Sequence, residues 1–89
     1  MKIKSGFVLE QVGGSYLACA TGSLAASFSG LVRLNETGAY LWRMLADADL
    51  SRDELLSAML KEYDAPEETL LRDIDAFLAK LSDNGILDE

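Results

Sequence analysis

Three features of this chain have the residue types for chemistry. They are the acidic pairs Glu67/Glu68 and Asp73/Asp75, the single thiol of Cys19, and the glycine-bounded stretch from Thr21 to Gly30. Paired carboxylates can share general-acid and general-base roles, but they need further groups to complete a site. The chain has no histidine, so the commonest metal ligand and proton-transfer group is absent. The carboxylates therefore read as solvated helix faces. A reactive thiolate wants a basic neighbourhood, and Ser15-Tyr-Leu-Ala-Cys-Ala20 offers none. Cys19 reads as a small apolar packing residue. The 21–30 stretch could suggest a phosphate cradle, but no Gly-Lys-Ser/Thr follows, so it reads as a loop. No catalytic group, cofactor or metal site is expected.

The elements that position these residues are arranged about one junction. Leu31-Val32-Arg33-Leu34 is a short apolar run that reads as a strand. Asn35 then offers a side-chain oxygen to the first turn of a helix, and Glu36 adds a negative charge where the helix dipole favours one. The helix, expected over 36–46, carries Leu41, Trp42 and Leu45 on one face. Before the junction, residues 7–12 and 15–20 read as a hairpin, with Gly13-Gly14 suited to a type I′ turn.

Two more helices follow the junction. Ser51-Arg-Asp-Glu54 is a capping box, opening a helix to about Tyr63 with Leu55, Leu56, Met59, Leu60 and Tyr63 as its apolar face. Asp64-Ala65 breaks it, and Pro66 suits the first position of the next helix. That helix places Leu70, Leu71, Ile74, Phe77, Leu78 and Leu81 in a wide stripe centred on Ile74. Asn84-Gly85 closes it, and Ile86-Leu87 is an apolar tail expected to fold back. The fold class is α+β: a three-stranded sheet, then three helices, in a winged helix-turn-helix-like order.

Size and charge narrow the function. With 89 residues, 49% apolar and 26% charged, one globular domain over 1–89 is expected. One cysteine excludes an internal disulfide. No apolar run is long enough to span a membrane, and Glu10, Gln11 and two glycines interrupt any secretory signal. A cytoplasmic location is expected. The net charge of −7 is uneven: residues 1–35 carry three basic side chains and one acid, residues 36–89 five basic and fourteen acidic. Such a helical half repels phosphate backbones.

The block Leu34-Asn35-Glu36-Thr37-Gly38-Ala39 with Trp42, then Tyr63, then Asp73-Ile74-Asp75-Ala76-Phe77-Leu78 with Leu81, Gly85, Ile86 and Leu87, resembles the PqqD family, also called the RiPP recognition element. The likeness covers residues 5–89. The chain departs from it where Asp47–Ser51 lacks a glycine and where Ala65 replaces a polar cap. The resemblance implies a non-enzymatic peptide chaperone. It would bind the leader segment of a ribosomally made precursor and present it to a modifying enzyme, expected to be of the radical S-adenosylmethionine type, in pyrroloquinoline quinone biosynthesis or a related peptide pathway.

On that reading the leader adds as a strand to the edge at Leu31–Leu34, with its other side against the third helix. Backbone hydrogen bonds are worth about 0.5–1.5 kcal/mol net each, and ordering a residue costs about 1–2 kcal/mol. Apolar leader side chains must therefore supply the surplus, and the groove needs an apolar floor. The candidate peptide-binding residues are Leu31, Val32, Arg33, Leu34, Leu71, Asp73, Asp75, Phe77 and Leu78. Arg33 would steer an acidic leader residue or pair with Asp73. Both edges of the third helix stay open at this point: Asp73 and Phe77 flank one, Leu71, Asp75 and Leu78 the other. The competing class is a winged helix-turn-helix DNA-binding regulator. Against it, the third helix sets only Arg72 and Lys80 against five acids, where base and phosphate contacts need cations. A monomer is expected when dilute, with a homodimer through the strand edge or an exchanged hairpin as the competing state.

Overall fold

The computed structural model describes residues 1–21 and 32–88. Leu31 and residues 22–30 of the expected loop lie outside the described residues. The elements run β1 (Lys2–Ile3), β2 (Phe7–Val12), β3 (Ser15–Ala20), β4 (Val32–Leu34), α1 (Glu36–Asp47), α2 (Arg52–Glu62), α3 (Glu67–Asp83) and β5 (Leu87–Asp88). Strands β2, β3 and β4 form an antiparallel sheet in that order. The expected three strands and three helices are thus present.

The register explains the faces that the sequence left undecided. Phe7 pairs with Ala20 and Leu9 with Ala18; across the next ladder, Tyr16 pairs with Leu34, Leu17 with Arg33 and Ala18 with Val32. Successive strand side chains alternate between faces. One face therefore carries Phe7, Leu9, Tyr16, Ala18, Val32 and Leu34, which pack into or against the core. The other carries Val8, Glu10, Leu17, Cys19 and Arg33. Cys19 is consequently half-buried on the outer face rather than in the core. At the hairpin turn only Gly13 takes a positive φ, +61°, which is the φ pattern of a type II′ turn rather than type I′.

The helices close over the inner face. Asn35 caps α1, accepting from the Gly38 N–H at 2.7 Å. The capping box at α2 is complete: Glu54 N–H donates to Ser51 Oγ at 3.1 Å, and Ser51 N–H donates to Glu54 Oε1 at 3.0 Å. Pro66 stands one place earlier than expected, as the N-cap of α3. Gly85 ends α3 at φ +70°. Leu41, Leu45, Leu55, Met59, Ile74, Leu81 and Ile86 are the largest fully buried side chains. Leu60 does not join them and is 46% exposed; it lies about 100° around the helix from Met59, past the buried edge.

A second, two-stranded sheet was not anticipated. Ile3 pairs with Leu87 and Lys2 with Asp88, and the Lys4 N–H donates to Ile86 O at 2.9 Å. The apolar tail does fold back onto the core, and it does so as a strand.

One ion pair joins α2 to α3. The Arg52 guanidinium donates to both Asp75 carboxylate oxygens, at 2.7 and 2.9 Å, and this holds the Asp75 carboxyl below its usual range. Its folded pKa thus lies below the unfolded value of about 3.9. The stability it contributes is complete above that value and is lost as pH falls through the folded pKa. Being exposed, the pair contributes little. Arg52→Ala should lower the thermal midpoint slightly at neutral pH, with the difference from the parent vanishing once pH is below both pKa values. A difference that persists unchanged in acid would assign the effect to packing of the arginine stem.

Candidate functional site

The groove between β4 and α3 is the candidate site. Among the described residues, strand β4 is an edge of the sheet, bonded to β3 on one side. The residues of a strand direct their backbone N–H and C=O to alternate sides. The Lys80 ammonium donates to Arg33 O at 2.9 Å, so the Arg33 carbonyl points outward, towards α3, and its N–H points the same way. Val32 and Leu34 are then left to bond β3. Arg33 presents the backbone donor and acceptor that an added strand requires.

Helix α3 forms the opposite wall. Its residues Asp73, Ala76, Phe77 and Lys80 line a groove of about 350 Å³ together with Arg33, Leu34, Asn35 and Gly38. These α3 positions recur at three- and four-residue spacing, which puts them on one face. Asp75 sits on the other side, where it meets Arg52 of α2. Leu71 and Leu78, three or four residues from Asp75, share that side.

The structure therefore brings Arg33, Leu34, Asp73 and Phe77 together and places Leu71, Asp75 and Leu78 away from the groove. Val32, Leu34 and Phe77 are each only 4% exposed. They are core residues first, and the rims of Leu34 and Phe77 form the groove floor. Arg33 makes no ion pair with Asp73: its side chain lies on the outer sheet face beside Leu17, with the sheet between it and the core.

Gly38 explains part of the Leu-Asn-Glu-Thr-Gly block. A Cβ there would lie 3.2 Å from both Asn35 Oδ1 and Leu34 Cβ. A bare backbone lets the first turn of α1 sit close to the end of β4 while donating to the Asn35 cap; a Cβ would require Leu34 or the cap to give by a few tenths of an ångström. Lys80 was the residue missed in the sequence, where it reads as an ordinary last-turn cation. The available signal was its spacing, three residues after Phe77 and seven after Asp73.

Other depressions lie among the described residues, two of them well formed. One, between α1 and α2, is lined by Tyr40, Asp53, Glu54 and Glu62 among others and has no strand edge. The other runs along β2 against Trp42 and Arg43 of α1, beside the opposite edge of the sheet. Among the described residues no cluster of His, Cys, Asp or Glu could hold a metal ion, and no helix is long and apolar enough to cross a membrane.

The sequence pattern of the family described as coenzyme PQQ synthesis protein D (PqqD) matches residues 7–87. No curated protein sequence matches the chain. Among solved structures, "TbiB1 in Complex with the TbiA(beta) Leader Peptide" superposes with a TM-score of 0.75 at 22% identity, covering 99% of this chain and 95% of that one. "Lasso peptide synthetase B1 complexed with the leader peptide" superposes with a TM-score of 0.71 at 21% identity, covering 96% and 93%. At such identities the likeness is one of fold.

Proposed function

The chain belongs to the PqqD family, and from that premise we propose that it is a peptide chaperone. It binds the leader segment of a ribosomally synthesised precursor and presents it to a modifying enzyme, without catalysis of its own. The observation that carries this reading is the open edge of β4 facing the polar-rimmed wall of α3, with the Arg33 backbone turned into the groove. Both structural relatives are complexes with leader peptides, which supports a peptide as occupant. The leader would pair with β4 through Arg33, its alternate side chains resting on Leu34, Ala76 and Phe77. The enzyme it serves is proposed to be of the radical S-adenosylmethionine type, and the working state a monomer, since a second copy on the same edge would exclude the leader. The acidic helical half argues against nucleic acid.

An amide chemical-shift titration with leader peptides from neighbouring open reading frames tests this. Shifts concentrated on 32–34 and on Asp73–Lys80, saturating at micromolar peptide, are expected. Shifts along Phe7–Val12 and α1 would move the site to the β2 edge. No response to any leader, with a response to DNA, would overturn the reading in favour of the regulator.

A further inference from the structure

Lys80 makes a contact that a last-turn lysine does not ordinarily make. Such a side chain can satisfy carbonyls of its own helix; this one crosses the groove to the Arg33 carbonyl. That oxygen is the acceptor that an incoming strand must use. Resting on the peptide-binding reading, we infer that Lys80 is a specificity-determining residue of the groove. It releases the Arg33 carbonyl to a peptide N–H and is taken up by a carboxylate on a groove-facing side chain of that peptide.

The argument is one of exchange. A hydrogen bond from an ammonium is stronger than one from a neutral donor. A peptide with only neutral groove-facing side chains displaces this bond and offers the ammonium nothing but water in return. A peptide with a carboxylate there replaces it with an ion pair. Lysine suits the exchange, because its flexible stem and three rotatable donors can move from one acceptor to another.

Asp73 gives the groove a direction. It lies on the same helix face as Lys80, seven residues earlier and thus about 10 Å away along the helix axis. An acidic side chain is favoured at the Lys80 end and repelled at the Asp73 end. In a chain whose helical half is strongly acidic, Lys80 is the groove's accessible cation, because the Arg33 side chain is on the far face of the sheet.

The test uses the leader peptide that gives the largest amide shifts, synthesised with Glu or Gln at each groove-facing position. Each is titrated into the parent protein, Lys80→Met and Lys80→Arg, with affinity read by fluorescence anisotropy. At one position the parent should prefer Glu over Gln by about three- to fivefold, the upper end of the range of an exposed ion pair. Lys80→Met should erase that preference and bind the Gln peptide more tightly than the parent does. Lys80→Arg should restore the preference. The inference is overturned if no position discriminates, or if Lys80→Met weakens Glu and Gln peptides alike. Absence of any leader peptide that binds the parent protein would instead overturn the chaperone reading itself.

Discussion

Arg33→Pro should weaken leader binding by about thirtyfold or more while the protein stays folded. The proline removes the one N–H that β4 turns into the groove, and its ring occupies the space where a strand would approach. An incoming peptide then loses a net hydrogen bond of about 1 kcal/mol and leaves its own carbonyl unsatisfied at about 1–3 kcal/mol. A loss of 2 kcal/mol is already about thirtyfold. The fold is spared because Val32 and Leu34, not Arg33, bond β3, and an edge position tolerates proline. The preceding Val32 is already extended, as proline requires of its neighbour. Arg33→Ala is the control. It deletes the guanidinium but keeps the N–H, and it should bind nearly as the parent does, because the side chain lies on the outer face. Titration of one leader peptide into both variants, with Trp42 fluorescence reporting the fold, decides the matter. Equal affinities for the two would mean that the peptide does not pair with β4, and would direct attention to the β2 edge.

Much of this architecture is legible from spacing. The Asn35 and Ser51 caps, the stripe centred on Ile74 and the stop at Gly85 are local: each depends on residues within one or two turns. The hairpin was legible as an element but not as a surface, because Phe7–Val12 does not alternate cleanly. Only pairing with β3, and of β3 with β4, decides that Leu9 and Ala18 face inward. The small sheet of β1 and β5 joins residues at opposite ends of the chain, and a two-residue strand such as Leu87–Asp88 has no periodicity to read. The groove divides in the same way. Leu34, Asp73 and Phe77 could be proposed from the stripe and the resemblance. The choice of helix edge needed the Arg52–Asp75 contact, and the part played by Lys80 needed its bond to a backbone 47 residues away. Arg33 was read for its charge, whereas the geometry makes its backbone the useful part.

Ile74→Ala should be strongly destabilising, at about 2–5 kcal/mol. Ile74 is fully buried, one turn from both Leu70 and Phe77 along the face of α3 that meets the other helices and the sheet. Domains of this size carry about 0.05–0.15 kcal/mol of stability per residue, so the loss is a large share of the total. Urea denaturation followed by Trp42 fluorescence should show a lower midpoint with an unchanged slope, the sign that the two end states are as compact as before. A loss under about 1 kcal/mol would mean that the surrounding helices close the cavity, in contrast to the usual partial relaxation. The same variant also tests the groove. Ile74 lies behind Asp73 and Phe77, so a ligand that seats on those residues stabilises the packing that the truncation weakens. Binding to the folded state alone adds about 2.7 kcal/mol when free peptide is 100 times its Kd. Saturating leader peptide should therefore raise the Ile74→Ala midpoint and recover a large part of what the cavity removes. An unrelated peptide of equal charge should not. If neither moves the midpoint while the parent still binds the leader, Ile74 is needed for the groove to exist, and the core and the site are one structure.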